Sequence, residues 1–299
     1  MKKGFRCLAI SLILASVLAG QAFGYTKPSG ANVLTPEASG KETASQGGVT
    51  MDASNKNQGY IMVRYSGGND KIKVRIIKGT TYTYDLTSDG QYNVFPLSEG
   101  SGTYAVKVFE HVSGDQYSEA FSKTVTVNLV NNYVAFLYPN KYVSFSQNSN
   151  AVQIGAQVAA DASDQFDVVK KVYYYVTGAL SYDYGEAALA ESGQMSGYLP
   201  DVDAVLAKGT GICFDYAAVM TAMLRGQDIP TKLVIGYTGS IYHAWVSVYL
   251  DSTGWVDAIY FDGSSWSLMD PTFASSNQNS PAIQDYIKNA ANYQAKYCY

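Results

Sequence analysis

The hydrophobic pattern changes character near residue 150. Upstream, apolar and polar residues alternate. In "KIKVRIIKG", Ile72, Val74 and Ile76 alternate with Lys71, Lys73 and Arg75. In "GTYAVKVFEH", Tyr104, Val106 and Val108 share one face, and in "KTVTVNLV" Val125, Val127 and Leu129 do the same. A period of two is the strand signature, because successive side chains point to opposite sides of a sheet. Strict alternation also means that one face is packed and the other solvated. Turn-forming runs separate the segments at Gly67-Gly68-Asn69, Ser88-Asp89-Gly90 and Ser113-Gly114-Asp115. Together they predict a small all-β, sandwich-like (Ig-like) domain over residues 58–150. Residues 25–57 are rich in Ser, Gly, Ala, Thr and Asn without periodicity, and so predict a disordered linker.

Residues 151–299 read differently. Val168, Val172, Val176 and Ala179 recur at helical spacing and predict a helix over 164–180, with Ser163 or Asp164 as N-cap. A shorter helical stretch around 203–207 stops at Lys208-Gly209. Next comes "GTGICFDYAA", opening a helix to about Arg225 that is apolar nearly all round and is therefore predicted to be buried. Gly226 ends it, and Pro230 prevents resumption. The chain then turns strand-like in "TKLVIGY", "YHAWVSVYL", "GWVDAIYF" and "WSLMDP", with turns at 251–254 and 262–265. Helices followed by an antiparallel sheet predict an α+β domain.

Residues 1–24 carry a different signal. Lys2, Lys3 and Arg6 precede an apolar run, 7–19, that is too short to span a bilayer, and Ala22-Phe23-Gly24 supplies small residues for cleavage. This predicts a secretory signal peptide, a mature start near Tyr25 and a secreted or cell-surface location. No later stretch is apolar for long enough to predict a membrane span. Only 15% of residues are charged and 26 are tyrosine, a composition that suits an extracellular protein. Loss of the signal removes three cations and no anion, taking the net charge from −4 to −7. With no Lys/Arg cluster, nucleic acid is a poor partner, since phosphate neutralisation needs basic patches.

The chemistry must come from few residues. Cys213 and Cys298 are the cysteines left after the signal, too few for a disulfide framework. They could pair with each other, but a nucleophilic Cys213 requires it to be free. His111 and His243 are the chain's only histidines, so no zinc-type spacing exists and neither metal nor cofactor is indicated. His111, at a strand end of the β domain, reads as a surface residue. Cys213 would occupy the first turn of a helix, where unpaired N–H groups and the macrodipole favour a thiolate. Gly209 and Gly211 suggest an unobstructed approach of backbone to substrate. Taken alone, the decapeptide also fits a core cysteine. His243 fits a packed strand aromatic as well as the base that a thiol nucleophile needs. Asp270, before Pro271, fits a turn as well as a carboxylate that orients an imidazole. Asp257 and Asp262 are its competitors.

Taken in order, "GTGICFDYAAVMTAMLRGQDIPTKLVIGY", "YHAWVSVYL" and "WSLMDPTF" resemble the three core motifs of the transglutaminase-like superfamily. The likeness covers roughly residues 165–275. It implies a papain/transglutaminase-like C-terminal domain over 151–299, a helix on an antiparallel sheet, with a Cys213–His243–Asp270 triad. It further implies an oxyanion donor, for which Tyr182 in "LSYDYG" and the backbone N–H of Cys213 are candidates. Trp245 would wall the site, Asp215 would serve the helix N-terminus, and Arg225 and Pro230 would be structural. No acidic cluster suggests calcium. The expected function is amide-bond chemistry on proteins or peptides, near a cell wall if the 25–57 tether places the enzyme there, through a thioester, with hydrolysis favoured over crosslinking. The alternative is a catalytically inactive cell-surface binding or scaffold protein on the same fold.

Overall fold

The computed structural model describes residues 25–257, 260–261, 266–267, 272 and 290–299. The expected signal peptide, residues 1–24, lies outside them. The chain is α+β. Eight strands come first: β1 (Thr43–Gln46), β2 (Val49–Asp52), β3 (Tyr60–Tyr65), β4 (Ile72–Lys78), β5 (Thr80–Leu86), β6 (Asn93–Pro96), β7 (Gly102–Ser113) and β8 (Gln116–Val127). They form two antiparallel sheets, in the orders β1-β2-β3-β6 and β5-β4-β7-β8. The alternation read from the sequence is the burial pattern: Ile72, Val74, Ile76, Tyr104, Val106 and Val108 are all buried. They join Val49, Met51, Ile61 and Val63 in one apolar cluster.

The linker expected over 25–57 is replaced by ordered structure. Strands β1 and β2 pair through the Gly47-Gly48 turn, where both glycines have positive φ. A side chain at Gly47 would meet the Ala120 carbonyl on β8 at 2.8 Å, so the turn is seated on the second sheet. Further upstream, Lys27 Nζ donates to the carbonyls of Ala159 (3.0 Å), Ala160 (2.5 Å) and Ala162 (3.2 Å). Asn32 bridges to Gln227, and its side-chain amide donates to the Asp228 carboxylate at 2.9 Å. Composition had concealed this, because the residues are small and polar while their partners are distant in sequence.

The second half holds α1 (Asn150–Val158), α2 (Gln165–Ala179), β9 (Ser181–Tyr182), α3 (Tyr184–Glu191), α4 (Val202–Lys208), β10 (Thr210–Gly211) and α5 (Cys213–Arg225). Strands β11 (Thr231–Thr238), β12 (Ile241–Leu250), β13 (Gly254–Asp257), β14 (Tyr260–Phe261), β15 (Trp266–Ser267) and β16 (Tyr293–Cys298) follow. Helix α2 is capped by Asp164, whose side chain accepts the Asp167 N–H. Its core stripe is Val168, Val169, Val172, Tyr173 and Val176; Ala179 is exposed rather than part of the stripe. The main sheet runs β13-β12-β11-β16, antiparallel throughout, and β14 pairs with β15.

Helix α5 is the hub. It packs on β12 and β11 and is surrounded by α1, α2 and α4. Every residue from Asp215 to Arg225 is buried, as expected of a helix without a polar face. Each fully buried Val, Leu or Met there contributes about 1.5–3 kcal/mol relative to exposure. Arg225 anchors its end. The guanidinium is 1% exposed and donates to the carbonyls of Thr231, Tyr138 and Tyr299. Burial pushes it down to about 9. Among the described residues, no helix is long and apolar enough to cross a membrane.

Candidate active site

The decapeptide begins where α4 stops. Asp201 caps α4 by accepting the N–H groups of Asp203 and Ala204, and Gly209 ends it in the left-handed region at φ 70°. Thr210 and Gly211 then pair in parallel with Ser181 and Tyr182. Ile212 is the extended N-cap of α5, and Cys213 is its first helical residue. The two glycines thus do other work than clearing a path for substrate. Gly209 is a helix cap. Gly211 makes room for a neighbouring side chain, because a Cβ there would lie 2.7 Å from Asp215 Cβ and 2.8 Å from its Oδ2.

That room lets Asp215 fold back. Its Oδ2 accepts the Ile212 N–H at 2.8 Å, the half of a capping box that an apolar N-cap can still have. Its Oδ1 accepts the Tyr198 hydroxyl at 2.5 Å. Asp215 is 1% exposed, and burial pushes its carboxyl up; the Tyr198 and Ile212 donors and Lys208 oppose the rise, and Glu186 adds to it. Tyr198 has no period or motif to mark it in the sequence. Its ring also meets Phe214 edge-on, at 6.3 Å between centroids. Nearby, Lys208 bridges Asp183 (2.9 Å) and Glu186 (2.7 Å), which ties the start of α3 to the end of α4.

Cys213 is a half-buried free thiol. At the first position of α5 its N–H has no partner within the helix. Cys298, half-buried in β16, is not joined to Cys213 by a disulfide. Tyr182 stands across the β9–β10 pair from Gly211, two residues before Cys213, half-buried and edge-on to Tyr184 at 5.0 Å.

His243 lies on β12, opposite Gly236 of β11, and is 5% exposed. Its ring is stacked against Trp245 at 6.3 Å and 20°. Trp245 is itself edge-on to Tyr293 at 5.2 Å. Residues 243–248 are buried on both faces of the strand, which is why "HAWVSV" shows no alternation. Tyr242, just before the histidine, is 56% exposed and edge-on to Tyr237 at 5.4 Å. Its phenol is pushed up to about 12, first by desolvation and then by Tyr297, Tyr142, Tyr237 and Cys213 around it.

The fold therefore brings three candidates onto adjoining elements. Tyr182 reaches the nucleophile's turn through β9 and β10, and the strand carrying His243 packs on the helix that Cys213 begins. Asp270 lies outside the described residues, as does Asp262. The backbone of Asp257 is in β13, paired with Ser247. His111 sits near the end of β7, far along the chain from these elements; its Nε2 is 2.8 Å from the Gly114 carbonyl and its ring is edge-on to Tyr117.

Residues 152–271 match the family model of the transglutaminase-like superfamily. A Bacillus subtilis relative, the uncharacterized protein YebA, is 28% identical over 123 residues, which is 34% of this chain but 16% of that protein. The chain thus spans only a small part of the curated relative it matches. Among solved structures, similar chains include a candidate cysteine protease from Cytophaga hutchinsonii, with 12% identity, TM-score 0.38, 80% of this chain and 83% of that one. Red sea bream transglutaminase gives 12% identity, TM-score 0.28, 71% of this chain and 47% of that one. Residues 152–271, with Cys213 at a helix start and His243 on the adjoining strand, are thus the part of the chain that matches the transglutaminase-like superfamily.

Proposed function

We propose that the protein is an exported cysteine enzyme acting on amide bonds of proteins or peptides. Cys213 is the nucleophile, His243 the general base and acid, and Asp270 the group that orients the imidazole. The observation that carries this reading is the placement of a free, half-buried thiol at the first residue of α5, a helix packed on the strand of His243.

The steps follow from those groups. His243 takes the thiol proton, and the helix N-terminus favours the resulting thiolate. Sulfur attacks the amide carbonyl carbon. The oxyanion meets the free N–H of Cys213 and the hydroxyl of Tyr182. The C–N bond breaks, the imidazolium protonates the departing amine, and a thioester remains. Water, deprotonated by His243, then attacks the thioester carbon. The C–S bond breaks, the product leaves as a carboxylic acid, and the thiol is restored. A lysine amine in place of water would give a crosslink. Hydrolysis is the outcome we favour, because no feature among the described residues guides a lysine to the site.

The test is incubation of the purified protein with a peptide library and a primary-amine probe. Hydrolysed amides are expected, with little amine incorporation. Cys213→Ala and His243→Ala should each lower turnover by about 10³-fold or more with folding retained. Full turnover in folded Cys213→Ala would end the proposal.

A further inference from the structure

We propose that Tyr198 is a positioning residue for Cys213, acting through its hydrogen bond to the Asp215 carboxylate. The inference rests on Cys213 being the nucleophile.

Tyr198 grips both residues that follow the thiol. Its ring lies against Phe214, and its hydroxyl donates to Asp215 Oδ1. The second carboxylate oxygen is already committed to the Ile212 N–H. With both oxygens occupied, the carboxylate stays turned toward the N-cap and toward Gly211, where the missing Cβ leaves space for it. Two consequences follow for Cys213. A negative charge two residues away opposes a thiolate, and two donors on that charge weaken the opposition. Asp215 also spends its acceptors on Ile212 and Tyr198, which leaves the Cys213 N–H open toward substrate. If the Tyr198 hydroxyl is removed, Oδ1 loses its donor in a buried site and must seek another. The first-turn amides of α5 are at hand, and they are the groups that stabilise the thiolate.

Tyr198 also closes an excursion of the chain. Helix α3 has no buried residue and exposes Tyr184 and Leu189. The segment 184–199 is held at one end by Asp183 with Lys208 and at the other by Tyr198 on Asp215. Glu186 and Lys208 are the other charges that face Asp215, and Tyr242 faces Cys213.

The experiment uses the full chain and two readouts. The first is iodoacetamide labelling across pH, with Cys213 and Cys298 quantified separately by mass spectrometry. The second is turnover of a peptide amide. In Tyr198→Phe, which keeps the ring against Phe214, the labelling midpoint of Cys213 should rise by about half a pH unit or more. The kcat should fall about tenfold with KM nearly unchanged. Labelling of Cys298 should stay at its wild-type value, which a general loosening of the fold would not allow, while the Tm should fall only as far as the loss of one buried hydrogen bond requires. Asp215→Asn, which removes the opposing charge together with the acceptor of the Tyr198 hydroxyl, should lose kcat without the rise in labelling midpoint, and adding Tyr198→Phe to it should change little further. A wild-type midpoint and kcat in Tyr198→Phe would overturn the proposal, as would fully additive losses in the double variant. If Cys213 of the wild-type protein labels no faster than Cys298 at neutral pH, the nucleophile itself is refuted before any variant is made.

Discussion

A methyl group at position 211 has no space: it would sit 2.7 Å from Asp215 Cβ, whose own backbone is fixed in the first turn of α5. Gly211→Ala should therefore cost about 1–3 kcal/mol, as overpacking does elsewhere. A thermal melt would record it as a lower Tm, and an unchanged Tm would show that the first turn yields. Asp215 gives a pH signature at the same place. Burial holds its carboxyl above the ordinary 3.8. Between those two values the folded protein keeps a proton that the unfolded chain has released. Its contribution to stability is thus present at low pH and is lost as pH rises through the folded value. Asp215→Asn should flatten that part of a denaturant-midpoint profile, just above pH 3.8; an unaltered slope would assign it to other carboxylates. At this scale the sequence was half legible. Cys213 and His243 stand in motifs with recognisable flanks. The jobs of Gly209 and Gly211 depend on φ and on a through-space neighbour, which spacing does not reveal. Tyr198 is one tyrosine among 26 and acts on a residue 17 positions away.

Among elements, legibility followed burial. Helix α5 was visible because it is apolar on all sides, and α2 because its valines recur in a stripe with an Asp cap. Helix α3 was not, since it buries nothing and so imposes no period. Helix α1 was missed for another reason: its contact with α5 runs through a glycine. A side chain at Gly155 would approach Met223 Cβ to 2.9 Å, so a hydrophobicity scan loses the contact residue. The β11–β16 pairing hides in the same way behind Gly236. A Cβ there would strike the Gln294 carbonyl at 2.1 Å and the Trp245 ring at 2.8 Å, and β11 shifts register at this point. Gly236 also faces His243 across the strands, and Trp245 is the ring against that imidazole. Gly236→Ala should displace β16 or Trp245. The expected outcome is a changed tryptophan emission spectrum and a severalfold loss of turnover. An unshifted spectrum with full activity would mean that β16 moves aside freely.

For the molecule as a whole, the question is whether the all-β half and the superfamily half unfold together. Two domains that shared no core would melt separately. The structure argues otherwise. Buried residues of both halves form one continuous cluster. The junction is aromatic. Tyr299, 3% exposed, stacks on Tyr142 at 3.8 Å and 1°, and meets Tyr84 and Tyr82 of β5 edge-on at 5.8 and 5.6 Å. The Cys298 N–H donates to the Tyr82 hydroxyl at 3.3 Å. The Tyr299 carbonyl in turn accepts from Arg225, so the same residue ties β5 to the far end of the nucleophile's helix. Upstream, Tyr25 donates to the Gln227 carbonyl at 3.0 Å, which adds a second strap. A single calorimetric transition, with equal van't Hoff and calorimetric enthalpies, is the expected outcome. Tyr299→Ala removes the ring at the centre of this junction. Truncating a buried aromatic costs about 3–5 kcal/mol, and here the loss falls on the contact between the halves. The variant should melt in two steps, the all-β half retaining its own transition. If it instead melts in one step at a lower temperature, the halves are coupled by the upstream strap and the remaining cluster, and removing Tyr25 as well should then split the transition.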